Sequence, residues 1–233
     1  VASKKIELPD IGPVSVYKRR GSTTIRLSIN ARGEVRITQP YWLPYSAGEQ
    51  FARSRAEWIA GHIGKRKPDL LTTGQAVGKQ HHLVFEPSPT LSKISSRLEP
   101  SVVRITYPAK LSIDDPEVQS AAKKAAIRTL RAEAEALLPG RLAALAKQHG
   151  FNYTSVQVKQ LTGRWGSCDN HQNIVLNLFL MQVSWDLIDY VLLHELTHTN
   201  VMKHGPEFWR AMERVLPDTQ IRRKAMRQHQ PVV

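Results

Sequence analysis

His194, Glu195 and His198 stand together in Leu193-His194-Glu195-Leu196-Thr197-His198, and their types and spacing suit metal-assisted hydrolysis. On a helix, residues four apart project from one face one turn apart, so both imidazoles can reach a single ion. Glu195 is rotated off that axis and can face a water polarised by the ion, taking its proton as general base. The five-letter pattern also arises by chance in helices. Here, however, Val191-Leu192-Leu193 runs straight into it, and burying two imidazoles and a carboxylate without a partner carries a free-energy cost that a bound metal relieves.

The single cysteine, Cys168, excludes an internal disulfide framework and any cysteine-rich zinc site, so zinc has to be held by histidine and carboxylate. Cys168 itself reads as a small, partly buried thiol. A catalytic zinc takes three protein ligands and keeps one position for water, which implies one Zn2+ per chain. His204 is the leading third ligand. On a continued helix, six residues would rotate it by about 600°, or about 240° net, away from His198. The helix therefore has to end or bend first: Gly205-Pro206 enforces a stop, and Asn200 tolerates a left-handed turn. Glu207 and Glu213, from a following helix, are the alternative third ligands.

Around this centre, Arg164-Trp165-Gly166-Ser167-Cys168 reads as a tight loop that brings Arg164 to the cleft, where it would bind a substrate carbonyl or phosphate or stabilise an oxyanion. The alternative is a core tryptophan, a glycine turn and a structural ion pair of Arg164. Asn173–Asn177 reads as an edge strand along which an extended peptide could pair through its backbone, with Asn173 and Asn177 as substrate-binding candidates. Phe208 and Trp209 read as packing residues that hold the turn after His204. His62, His81, His82, His149, His171 and His229 read as surface or loop residues.

The elements that must position these groups follow from periodicity. Ile25, Leu27 and Ile29 alternate with polar residues, Ala31-Arg32-Gly33 supplies a turn, and Val35 and Ile37 alternate again, which predicts a hairpin preceded by a strand near Val14–Lys18. Ser46-Ala47-Gly48-Glu49 has a capping-box pattern that opens a helix to about Lys65, anchored by Trp58. Gly74–Phe85 predicts a second hairpin, Val103, Ile105 and Tyr107 a further strand, and Glu86–Pro100 an exposed loop. From Asp114-Asp115-Pro116 the pattern turns to alanine-rich helix, interrupted at Pro139-Gly140 and ending at Gly150. Val156 and Val158 mark a strand, Gly163–Asn170 a loop, and Ile174, Leu176 and Leu178 another strand. Ser184-Trp185-Asp186 then starts the helix that carries the histidine pair.

The fold class expected is α+β: a basic N-terminal domain at residues 1–110, an antiparallel sheet with one helix, followed by a catalytic domain at 111–233. Residues 1–110 hold 18 Lys/Arg against 8 Asp/Glu, and residues 111–233 hold 15 against 12. The front half could therefore draw in nucleic acid or another polyanion, although its basic residues are not interleaved with aromatics for base stacking. No stretch approaches the length of a membrane span and the start lacks a signal-peptide pattern, so a cytoplasmic protein is expected.

In combination, Arg164–Cys168, Asn173-Ile174-Val175-Leu176-Asn177, His194–His198, His204-Gly205-Pro206 and Phe208-Trp209 resemble the YgjP-like metallopeptidases, relatives of the SprT-like zincins. The resemblance extends forward through the basic hairpin, Pro40 and Trp58-Ile59. It implies a bacterial or archaeal cytoplasmic protein with His194, His198 and His204 as ligands and Glu195 as the catalytic residue. Val201 stands where the related metzincin pattern has glycine, so the path to His204 must differ. The expected function is a zinc metallopeptidase acting on a peptide or protein substrate. Two rivals are a metal-dependent hydrolase of nucleotides or phosphate anhydrides, which lacks support from any Walker-type loop, and a nucleic-acid-associated binding protein with a zinc site.

Overall fold

In a computed structural model, residues 3–9, 11–29, 34–63 and 70–231 are described, and the chain divides into two compact units, Val1–Asp69 and Leu70–Val233. The first unit holds strands β1 (Ser3–Leu8), β2 (Gly12–Arg19), β3 (Arg26–Ile29) and β4 (Val35–Pro40), in the order β1-β2-β4-β3. The expected hairpin is present, with Ile29 opposite Val35 and Arg26 opposite Thr38; its turn, Ala31-Arg32-Gly33, lies outside the described residues. The sheet is mixed and not antiparallel, because β2 runs parallel to β4. Alternation of apolar residues shows which side chains face inward, here Val14, Val16, Val35 and Ile37, but carries no information about strand direction.

Two helices, α1 (Tyr45–Arg53) and α2 (Ala56–Ile63), replace the single helix expected to about Lys65, a residue outside the described set. The first ends in a tight turn in which Ser54 N–H donates to Gln50 O (2.9 Å), and Arg55 O then accepts from Ile59 N–H (2.9 Å). The capping box is unused, since the N-cap is Pro44. Trp58 is 46% exposed and its neighbour Ile59 is the buried anchor. Aromatic rings here are covered by the chain's own cations: Arg36 lies 3.9 Å over the Tyr17 ring and Lys18 4.7 Å over the Tyr45 ring.

The second unit begins at Leu70 and not at residue 111, because the sheet β5 (Ala76–Val77), β6 (His81–Ser88), β7 (Ser95–Leu98) and β8 (Val102–Pro108) shares one hydrophobic core with everything that follows. Its order is β5-β6-β8-β7, with β6 and β8 parallel. The stretch expected as a loop from Glu86 to Pro100 thus supplies the end of β6 and all of β7. Across this sheet lies α3 (Pro116–His149), 34 residues long. It runs through Pro139 without ending there, although an interior proline removes one hydrogen bond and costs about 3 kcal/mol in an isolated helix. The buried stripe Leu130, Ala134, Leu138, Leu142 and Leu145 continues across that point, and packing outweighs the local penalty. Gly150 closes the helix in the left-handed region at φ 72°.

From α3, the buried Glu133 accepts N–H bonds from Lys79 (2.6 Å) and Gln80 (3.1 Å) and sits 2.6 Å from His81 Nδ1. His81 is therefore part of the β5–β6 turn clamp and not a free surface histidine. A second sheet contains β9 (Ser155–Lys159), β10 (Gly166–Cys168) and β11 (Asn173–Asn177), followed by a short 3₁₀ turn at Leu178–Gln182 and helices α4 (Trp185–His198), α5 (Pro206–Val215) and α6 (Thr219–Met226). Ser184 is the N-cap of α4 and Asp186 lies in its first turn, although no Ser184 side-chain bond is made. Arg141 of α3 grips Asp189 of α4 through two nitrogens (2.8 and 2.5 Å), fixing the two helices against each other. Among the described residues no helix is long and apolar enough to cross a membrane.

Candidate metal centre and the cavity beside it

Helix α4 presents His194 and His198 from one face, as their spacing requires, and Ile188, Leu192 and Leu196 bury the adjoining stripe. The turn to His204 is built without a left-handed residue at Asn200, since among the described residues the only non-glycine positive φ belongs to Gln172. Instead the helix unwinds through overlapping bonds: Thr199 N–H donates to Leu196 O (3.0 Å), Asn200 N–H to Thr197 O (3.1 Å) and Val201 N–H to Thr197 O (2.9 Å). Gln172, in the β10–β11 turn, donates Nε2–H to Thr199 O (3.2 Å) and holds the frayed end. Pro206 then opens α5 immediately behind His204.

The result is a triangle of imidazoles. His204 Nε2 lies 2.9 Å from His194 Nε2 and 3.0 Å from His198 Nε2. Phe208, fully buried, packs beneath all three rings with centroid separations of 4.8, 4.5 and 4.8 Å, and Trp209 stacks on His204 at 5.9 Å. The sequence reading of these two aromatics as the packing of this turn is what the geometry displays. Thr197, on the far side of α4, donates its hydroxyl to Leu193 O (2.8 Å) and touches Met212 Sδ (3.1 Å), locking α4 on α5.

The donor set fits a zinc ion. Val201 O lies 3.1 Å from His198 Nδ1, an acceptor that favours the proton on that nitrogen and leaves the Nε2 lone pair facing the triangle. His194 Nδ1 is buried without a partner among the described residues. Three neutral imidazoles cannot all satisfy one another at such distances, whereas tetrahedral zinc with Zn–N of about 2.0–2.1 Å requires nitrogens about 3.3 Å apart. Burial, followed by the charges of His198, His204 and Arg223, lowers the His194 pKa to about 3, and burial lowers that of His198. Both rings are thus poised as neutral ligands at ordinary pH. Glu207 and Glu213, the alternative third ligands, fall outside the His194/His198/His204 group and line a separate surface depression with Arg210 and Arg214.

Glu195 is 5% exposed and shares the cavity wall with His194 and His204. Burial pushes its carboxyl up to about 8, and the charge of Arg164 pulls in the opposite direction. Behind it stands Gly166: a Cβ there would lie 2.6 Å from Glu195 Oε1 and 2.8 Å from its Cγ. The sequence reading took Gly166 only as a turn residue, although a glycine beside strand-forming neighbours also marks a close approach.

Arg164 lines the cavity and, among the described residues, makes no ion pair of the structural kind. Asn173 and Asn177 do not line it, and their side chains are consumed locally. Asn173 Nδ2–H donates to Asp169 Oδ2 (3.0 Å) and its Oδ1 accepts from Ser155 (2.7 Å). Asn177, fully buried, donates to Leu161 O (3.0 Å) and Arg164 O (2.8 Å) and accepts from Phe179 N–H (3.2 Å). Asn177 thus ties down the Arg164 loop, and Asn173 fastens the β10–β11 turn to β9. Nor is β11 an edge: it pairs antiparallel with β10 and parallel with β9, and the outer strand lying against α4 is β10. Cys168, on that strand, is half-buried, and burial with the nearby Glu195 raises its thiol to about 11.

The cavity measures about 630 Å³ and is walled by Arg164, Trp165, Tyr190, Val191, Trp209 and Met226 around His194, His204 and Glu195. Arg223, Arg227 and His229 complete it; the sequence singles out none of them as a cavity residue, and His229 is exposed, in keeping with its reading as a surface residue.

The model of the YgjP-like, metallopeptidase domain family matches residues 23–229. The chain belongs to this YgjP-like family. No curated protein matches significantly. Among solved structures, the chain is similar to the metallopeptidase zymogen abylysin of Pyrococcus abyssi, at 20% identity and a TM-score of 0.37, over 42% of this chain and 100% of that one. It is also similar to the metallopeptidase zymogen jannalysin of Methanocaldococcus jannaschii, at 17% identity and a TM-score of 0.34, over 37% and 90% of the two chains.

Proposed function

We propose that this YgjP-like protein is a zinc peptidase of the HExxH zincin type, in which His194, His198 and His204 hold one zinc ion and Glu195 is the general base. The observation that carries this reading is the convergence of three imidazole Nε2 atoms, two of them on His194 and His204, which line one cavity with the buried carboxylate of Glu195. Zinc, when bound, would supply the Lewis acidity that polarises a water and the scissile carbonyl.

The rest is the work of the chain. Glu195 takes the water's proton as it attacks and returns that proton to the departing amine. The environment suits both halves of that exchange: burial favours the protonated carboxyl and Arg164 favours the carboxylate. Gly166, itself part of the cavity lining, leaves room for the carboxyl where a Cβ would meet it. The guanidinium of Arg164, on the same wall, is suited to stabilise negative charge developing on the carbonyl oxygen. Strand β10, unpaired on its outer side, offers backbone groups to an extended substrate, the alignment that the sequence reading gave to β11.

A library of peptides incubated with the zinc-loaded protein and read by mass spectrometry tests this function. Cleavage should appear with the wild type and fall by about 10²–10⁴-fold in Glu195→Gln, with zinc retained. Wild-type cleavage by Glu195→Gln, or a zinc-loaded wild type that cuts no peptide, would contradict it.

A further inference from the structure

Helix α6 divides its arginines between two environments. Arg222, on the outer side, is neutralised by Asp218 (2.8 Å) and Asp186 (3.3 Å). Arg223 and Arg227, four residues apart and hence on one face, turn to the cavity and, among the described residues, pair with no carboxylate. The Arg223 guanidinium lies 4.1 Å over the ring of Trp209, which itself stacks on His204. That stacking holds a cation next to the histidine triangle.

Resting on the peptidase reading above, we propose that the cavity recognises a peptide carrying a carboxylate beside the bond to be cleaved, with Arg223 and Arg227 as the specificity-determining residues. Among the described residues the wall holds three guanidiniums, counting Arg164, against the one carboxylate of Glu195. Arg223 is half-buried while Arg164 and Arg227 are exposed, and unpaired cations gathered on one concave wall attract anions more strongly than the same charges dispersed over an open surface. Guanidinium forks match the planar, two-oxygen geometry of a carboxylate. The surfaces between them are apolar and aromatic, namely Trp165, Val191, Trp209 and Met226, which suits the carbon skeleton of a peptide. Among the described residues no lysine lines the cavity. The carboxylate has two sources, an Asp or Glu side chain flanking the scissile bond or the free C-terminus of a short peptide, and both offer the same group.

Binding to the full chain carrying Glu195→Gln, followed by fluorescence anisotropy, separates these sources and tests the proposal independently of turnover. Four labelled peptides serve as probes: one with an internal Glu and an amidated end, one neutral with a free C-terminus, one neutral and amidated, and one with an internal Lys and an amidated end. At least one of the two carboxylate peptides should bind about 10-fold or more tighter than the neutral amidated one, and which of them does so identifies the source. Adding Arg223→Gln and Arg227→Gln should weaken that peptide by about 10–100-fold and the neutral one by less than about 3-fold. The Lys replacements should retain intermediate affinity, Lys224→Gln should change nothing, and Arg223→Glu with Arg227→Glu should turn the preference toward the Lys peptide. Equal binding of carboxylate and neutral peptides, or a preference that survives loss of both arginines, would overturn the proposal. So would a nucleoside triphosphate that binds more tightly than every peptide and depends on the same two arginines. Arginine-dependent binding of the carboxylate peptide with no cleavage of it by the wild type would leave this recognition standing and remove the peptidase reading; cleavage of all four peptides alike would do the reverse.

Discussion

Replacing Gly166 by Ala probes how closely the proposed base is held. The added Cβ would meet Glu195 Oε1 at 2.6 Å, Cγ at 2.8 Å and Cδ at 2.9 Å, where ordinary contact needs about 3.5–4.0 Å. The Glu195 side chain is 5% exposed, so it can retreat only into the cavity, by about 0.5–1 Å. A displacement of about 1 Å in a reacting group costs about 10²-fold in rate. Overpacking costs about 1–3 kcal/mol, offset by the about 0.4–1 kcal/mol that Gly→Ala gains from the unfolded chain. The expected variant is folded, melts a few degrees lower, keeps its zinc and has kcat reduced by about 10²-fold on any peptide the wild type cleaves. In a Glu195→Gln background the same substitution should cost no further activity, because both act through one carboxylate. Undiminished kcat, or an equal additional loss in the Glu195→Gln background, would refute the claim that Gly166 works by positioning Glu195.

Three further outcomes follow from the same geometry. His204→Ala should weaken zinc affinity, measured by competition with a chromogenic chelator, far more than Glu207→Ala or Glu213→Ala; the opposite order would give the third position to a carboxylate. Asn177→Ala strands the carbonyls of Leu161 and Arg164 and should cost about 1–3 kcal/mol in urea unfolding, with Asn173→Ala milder because its partner Asp169 is exposed and Ser155 only half-buried. The metal-free protein should lose stability between pH 6.5 and 8. In that window native Glu195, raised to about 8, keeps a proton that the unfolded chain has released, so stability falls by up to about 1.4 kcal/mol per pH unit. His194, lowered to about 3, acts oppositely, but only below about 6.5, where the unfolded chain takes up its proton first. Urea titrations of wild type and Glu195→Gln check this, since the decline should vanish in the variant.

The meeting of His194 and His198 with Glu195 beside them is legible in the sequence because a helix converts a spacing of four into a shared face, a purely local rule. The position of His204 was legible for a related reason: the Gly205-Pro206 stop limits where the chain can go. Its route was not, because the turn rests on Gln172, distant in sequence, and on backbone bonds that any residue can make. Strand existence could be read from Val14, Val16, Ile105 and Tyr107, while parallel pairing of β2 with β4 and β6 with β8 is settled by non-local contacts. Pro139 misled for the opposite reason, a strong local signal overridden by the buried stripe on either side. Asn173 and Asn177 have the chemistry of ligands, and only their hydrogen bonds reveal them as loop anchors. Arg223 and Arg227 were hidden among many basic residues, since charge alone does not tell an outward guanidinium from one facing the cavity.

Metal analysis of the purified protein bears most directly on the proposed centre. The wild type isolated from metal-replete cells should hold about one zinc per chain, and His194→Ala and His198→Ala should each lose tight binding while remaining folded by circular dichroism. A full zinc complement in both variants would contradict the three-histidine site.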